Sequence, residues 1–171
     1  MDYGLIEGDI VLTSKIYSEI KRGDIVVIKH PLEKKHRLYI KRCLAVGGDV
    51  IFQKKRAFYL QLEGNSTKTY NYAKKYTLTY TLTPSGYFLK DPYVHYYAVT
   101  HNKALEVPKE LESYPVTKIK PNHYFVAGDY RDNSTDSRFY DAVPQKWLQS
   151  KVIYILKKPH SWEELIKIRE Y

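Results

Sequence analysis

The amino-acid sequence predicts a mainly β protein with a coiled antiparallel ribbon or barrel-like core, and three observations carry that expectation. Tyr accounts for 18 of the 171 residues, against five Phe and two Trp, and Tyr interleaved with β-branched residues favours strands over helices. Gly8-Asp9, Gly23-Asp24 and Gly48-Asp49 each lead into an apolar run, the rhythm of turn and strand in a compact meander. Tyr76-Thr77-Leu78-Thr79-Tyr80-Thr81-Leu82-Thr83 alternates as a half-exposed strand does. At 20.2 kDa the chain suits one domain, or one core carrying an insertion.

Taken in order, Ile10-Val11-Leu12 and Ile25-Val26-Val27-Ile28 read as two early strands. Leu38 to Val46 reads as a third strand, ending at Gly47-Gly48-Asp49, and Val50-Ile51-Phe52 starts a fourth. From Phe58 to Pro115 the composition shifts to Tyr, Thr, Lys and Asn, which reads as a peripheral β insertion. Its clearest strand is 76–83, turned back by Pro84-Ser85-Gly86, with a further strand at Tyr93–Val99. Leu105 to Leu111 is broken by Pro108 and is expected as loop or short helix. Tyr124-Phe125-Val126-Ala127 reads as a buried strand and Val152 to Leu156 as the closing one. Ser161-Trp162-Glu163-Glu164 has the spacing of a capping box and predicts a helix over 161–170. The expected division is a core of 1–57 and 116–158, an insertion of 58–115 and a C-terminal helix within 159–171.

Lys plus Arg exceed Asp plus Glu by 28 to 19, a net +9, which permits attraction to nucleic-acid phosphates or to anionic lipid headgroups. The single cysteine, Cys43, excludes an internal disulfide and a multi-cysteine zinc site and is expected in the core. The six histidines show no metal-ligand spacing, so no metal site is predicted. No run approaches the ~20 apolar residues of a membrane span and no signal-peptide pattern opens the chain. As written, the chain is expected to be soluble.

The densest chemistry follows the strand 124–127. Gly128-Asp129-Tyr130-Arg131-Asp132-Asn133-Ser134-Thr135-Asp136-Ser137-Arg138 packs both charge signs into a turn, and such groups can brace a loop through charge-assisted hydrogen bonds. Composition alone leaves a solvated polar turn equally open. The order of residues, continuing to Val143-Pro144, resembles the C-terminal signature of the signal peptidase I family, membrane-bound serine proteases with a Ser/Lys dyad. Upstream, Tyr39-Ile40-Lys41-Arg42 followed by Gly48-Asp49 is similar to that family's lysine box, and Arg22-Gly23-Asp24-Ile25-Val26-Val27 to the strand before it. The resemblance covers 1–52 and 118–156. The Tyr-rich middle matches nothing specific, in a region where the family accepts β insertions.

The resemblance implies a signal peptidase core and assigns roles. Lys41 becomes the general base, Ser134 the hydroxyl that orients its amine, Asp136 and Arg138 an ion pair buttressing the loop, and Asp129 and Arg131 further braces. Met1 and Tyr39 fall at substrate-binding positions. A lysine acts as base only when neutral, which burial against apolar neighbours such as Ile40, Cys43 and Leu44 favours. The neutral amine would take the proton of a serine hydroxyl that attacks the peptide carbonyl. No metal or organic cofactor is implied.

The N-terminus departs from the family pattern. The nucleophile box, anchored on Gly8-Asp9, puts Leu5 on its Leu and Met1 on its Met, so the catalytic serine would precede residue 1. Tyr3 and Gly4 stand where Pro and Thr are usual. Two explanations are open: a chain cut or misassigned just after the serine, the favoured one, or a homologue that has lost it. The nucleophile's own N–H and a hydroxyl before it, the family's oxyanion hole, would be missing too, so this polypeptide is expected to be inactive. The enzyme reading is an endopeptidase that removes signal peptides from exported preproteins. It would act at the outer face of the bacterial cytoplasmic membrane, held by an N-terminal anchor not in this chain, with the +9 charge against anionic lipid. The alternative is a non-catalytic homologue serving as assembly factor or chaperone for secreted proteins. Nucleic acid is not an expected partner.

Overall fold

Ile25-Val26-Val27-Ile28 is an unbroken apolar run because strand β2 (Ile25–Lys29) is buried on both faces, the pattern of a central strand. Val26 and Ile28 join Cys43, Val126, Val143 and Leu148 in one cluster, while Ile25 and Val27 meet Val152 and Ile155 in another. The computed structural model describes residues 9–29, 37–92, 106–156 and 166–167. Around β2 stand β1 (Ile10–Ser14), β3 (Leu38–Ala45), β9 (His123–Ala127), β10 (Val143–Pro144) and β11 (Leu148–Leu156), in the order β1-β11-β2-β3-β9-β10. Every pairing among them is antiparallel. The first two strands are therefore not neighbours, as a meander would make them, because the closing strand lies between them.

A second antiparallel sheet runs β6-β7-β5-β4-β8, from β4 (Val50–Lys54), β5 (Ala57–Gln61), β6 (Tyr80–Thr83), β7 (Gly86–Lys90) and β8 (Tyr114–Lys118). It is joined to the first sheet by a shared core of Leu44, Ala45, Phe125 and Ala127 with Ile51, Phe58, Leu60, Leu89 and Tyr114. The stretch 58–115 is thus no peripheral attachment. Its β5 and β7 share a sheet with β4 and β8, and Phe58 and Leu60 sit in the interior.

Residues 66–75, expected as β, form the helix α1 (Ser66–Lys75). Asn65 caps it, its side chain accepting from Lys68 N at 2.9 Å, while Thr69 and Ala73 bury one stripe and Lys74 and Lys75 fill the last turn, where cations favour the helix dipole. The alternating segment is extended only over Tyr80–Thr83. Pro108 precedes a single turn, α2 (Lys109–Glu112), as the broken pattern allowed. The strand expected at 93–99 lies outside the described residues. So does most of the expected C-terminal helix, but Ile166–Lys167, inside it, run as a short strand, β12, paired with Tyr154 and Ile155 of β11.

Two glycines set the turns that aim the strands. Gly23 (φ 91°) and Gly48 (φ 95°) adopt left-handed backbone that a side chain resists. Asp24 and Asp49 follow them and turn back onto the chain: Lys21 N donates to Asp24 Oδ2 and Val46 N to Asp49 Oδ2. Cys43 is fully buried, and desolvation pushes its thiol up, away from reactivity.

Candidate active site

Lys41 lies mid-way along β3, opposite Val26 of β2. β-Pleating puts Tyr39, Lys41 and Cys43 on one side of the strand, and Tyr39 and Cys43 belong to the cluster formed with Val26 and Val126. Lys41 is 8% exposed. Desolvation pulls its amine below the ordinary lysine value, with Arg138 adding to the effect and the Asp136 and Asp129 carboxylates opposing it. Its Nζ lies 2.8 Å from Ser134 Oγ, a hydrogen bond spanning 93 residues of sequence, and 5.8 Å from the centre of the Tyr39 ring.

The loop after β9 presents Ser134, and its acidic and basic residues turn inward. Asp136 caps the single-turn helix α3 (Ser137–Tyr140). Its carboxylate accepts from Arg138 Nε at 2.8 Å and Nη2 at 2.7 Å, and from Gly128 N at 3.1 Å, so the loop's last residues hold its first. Burial pushes Asp136 up, but the Arg138 hydrogen bonds and charge, the Gly128 N–H and Lys41 outweigh it, and the carboxyl stays below its usual range. Ser137 Oγ accepts from Val126 N, pinning the far side of the loop to β9. Gly128 is a close approach: a Cβ there would stand 2.7 Å from Ser134 Cβ and 3.6 Å from Lys41 Nζ.

Asp129 acts on Arg131 through its charge but is not hydrogen-bonded to it. Arg42 holds Asp129 instead, donating from Nε at 2.8 Å and Nη2 at 2.7 Å, while Arg42 Nη1 donates to Gly23 O. The residue after the lysine thus ties the loop to β3 and to the turn before β2. Arg131 is buried with its guanidinium 4.9 Å from the Phe58 ring centre, and desolvation brings it down to about 10. Asp132 faces Arg56 at 3.5 Å. Lys41, Ser134, Asp129, Asp136 and Arg138 are therefore brought together around the loop's base, Tyr39 lies beside Lys41, and Met1 is outside the described residues. Arg42, Gly128 and Ser137 were not singled out in the sequence. Arg42 was within the lysine box and Gly128 within the loop motif, but nothing local says which acid an arginine will meet. Among the described residues no group of three or more His, Cys, Asp or Glu side chains could hold a metal ion.

A desolvated lysine with a hydroxyl at hydrogen-bond distance, buttressed by buried ion pairs, is an amine held in one orientation with its proton affinity lowered, which is what a general base requires. A sequence model described as signal peptidase, peptidase S26, matches residues 1–156. The chain belongs to the peptidase S26 family of signal peptidases. It is 32% identical over 166 residues to signal peptidase I of Helicobacter pylori strain 26695, covering 83% of this chain and 53% of that protein. With signal peptidase I of Aquifex aeolicus it shares 29% identity over 185 residues, 91% of this chain and 71% of that protein. The chain thus spans about half the length of the Helicobacter relative. A crystal structure of a signal peptidase I from Enterococcus faecalis V583 is a more distant likeness, with 20% identity and a TM-score of 0.39 over 78% of this chain and 96% of that one.

Proposed function

We propose that this chain is the catalytic part of a signal peptidase I-type serine endopeptidase that cleaves signal peptides from exported preproteins. The observation that carries it is the 2.8 Å contact between Lys41 Nζ and Ser134 Oγ at a site that lowers the lysine's proton affinity. Lys41 is the general base and Ser134 orients its amine. The nucleophile is a serine hydroxyl whose proton Lys41 takes, and the attack forms an acyl-enzyme that water then hydrolyses. Lys41, having taken the serine proton, returns it to the leaving amine. A binding-only homologue would have no use for a buried amine whose proton affinity is lowered beside a hydroxyl, at a cost in desolvation.

By the same reading the domain works at the outer face of a bacterial cytoplasmic membrane. No helix among the described residues is long and apolar enough to cross a membrane. The +9 charge favours an anionic lipid surface beside it.

The test is a serine-restored, membrane-anchored protein given a model preprotein. Cleavage should rise with pH through the titration of Lys41, because the active form is the neutral amine, and the rising limb should fall below the ordinary lysine value of 10.5. Lys41→Ala should abolish cleavage, and Ser134→Ala should lower kcat and displace the limb. Full activity in Lys41→Ala would sink the assignment.

A further inference from the structure

Two buried guanidiniums in the loop that presents Ser134 have an N–H with no acceptor among the described residues, Nε of Arg131 and Nη1 of Arg138. Both belong to residues at most 5% exposed, where an unsatisfied donor is costly. Both guanidiniums lie over the same aromatic ring, that of Phe58, at 4.9 Å for Arg131 and 5.7 Å for Arg138. Those distances are within the ~6 Å over which a ring face attracts a cation, and the attraction grows when both are desolvated.

We propose that Phe58 is a positioning residue for the Lys41–Ser134 pair, its ring face carrying the two buried guanidiniums that flank Ser134 in the loop. This rests on the peptidase reading for its purpose, though not for its geometry. Phe58 sits on β5 of the second sheet, 1% exposed, with its ring edge-to-face against Phe125 of β9 at 5.8 Å. Phe125 stands two residues before Ala127, where β9 ends and the loop begins. One ring therefore touches the strand entering the loop, the arginine before Ser134 and the arginine after it. Arg138 in turn grips Asp136, which accepts from Gly128 N, so the position of the ring is passed to the residue packed against Ser134 and Lys41. A Leu in place of Phe58 would fill much of the volume and offer no π face.

The readout is the titration of Lys41 in the chain itself, followed by NMR of its side-chain ε-carbon, which needs no catalytic activity. The charged groups acting on it are Asp129, Asp136 and Arg138 of the loop, with the Tyr39 hydroxyl-bearing ring on its own strand. Phe58→Leu should let the loop loosen, water reach Lys41 and Arg138 move off, each of which raises its midpoint, together by about one pH unit. Phe58→Tyr should restore the midpoint, and Phe88→Leu, a buried aromatic of the same sheet with no guanidinium over it, should leave it alone. Equal shifts in the Phe58→Leu and Phe88→Leu variants, or none in Phe58→Leu, would overturn the proposal. If Phe58→Leu does not fold, the unaltered chain decides. The Arg131 Nε–H proton should be moved upfield by the ring and exchange slowly, and an ordinary shift would count against Phe58. Cleavage surviving Lys41→Ala would remove the peptidase reading and leave these spectra as they are.

Discussion

Lys41 shows how far a single residue can be understood from its neighbours. Of the neighbours in sequence expected to surround it, Cys43 shares its side of β3 while Ile40 and Leu44 pack into other clusters, so the cause of its lowered proton affinity was legible only in part. Its partner Ser134 was legible only through the order of residues in a motif, since 93 positions separate them. Gly128 was not singled out at all, because a glycine needed for close approach leaves no periodic signal. Its role makes a sharp prediction. In Gly128→Ala the new methyl, 2.7 Å from Ser134 Cβ, must push the serine away from Lys41 Nζ. A displacement of this size costs about 10²-fold in rate, with about 1–3 kcal/mol of stability. Preprotein cleavage and thermal melting of the same variant check it, and a fall in stability at unchanged rate would contradict the packing described.

At the level of elements, the loop 128–138 is held by pairs that cross from one element to another. Asp129 belongs to Arg42 of β3, and Asp136 caps α3 while holding Arg138. Removing one partner of a buried pair strands the other charge, so Asp129→Asn should cost about 3–5 kcal/mol of unfolding free energy, read from denaturant melts. Replacing both, as Arg42→Met with Asp129→Leu, should recover much of it. The Asp136–Arg138 pair was legible through the motif, but the pairing of Asp129 with Arg42 was beyond reach from sequence for the same reason that α1 was. Tyr and Thr inside 66–75 favour strands locally, whereas the helix follows from the Asn65 cap and from burying Thr69 and Ala73 against β7 and the interior. Strand existence was well read near Ile25–Ile28, where a continuous apolar run has few alternatives.

Across the whole molecule, Asp49 is the point at which the two sheets are tied. Its carboxylate, fully buried, accepts from Arg22 Nε and Nη2 at 2.7 Å each, from Val46 N and from Glu63 N, so it links the turn before β2, the end of β3 and the residues before α1. Asp49→Ala would leave a cation and two N–H donors to find other partners. It should lower the unfolding free energy by about 3 kcal/mol or more, with the loss seen together by probes of either sheet, such as tyrosine fluorescence and amide exchange. Separate transitions would mean that the sheets are not coupled through this residue. The mainly β character of the whole was legible from composition and turns, but the sheet to which each strand belongs was not. Adjacency in sequence made β1 and β2 look like partners, and only long-range pairing separates them.

That strand order has a consequence for how the protein comes into being. Because β11 fills the gap between β1 and β2, the two N-terminal strands leave the ribosome with facing edges open and wait for more than a hundred further residues before the strand that seals them is made. During that interval the edge of β2, the most apolar strand among the described residues, is a template for any passing extended segment. Such high contact order slows folding, so a nascent chain would gain from a holdase, or from early docking of β3 on β2, until its last long strand arrives.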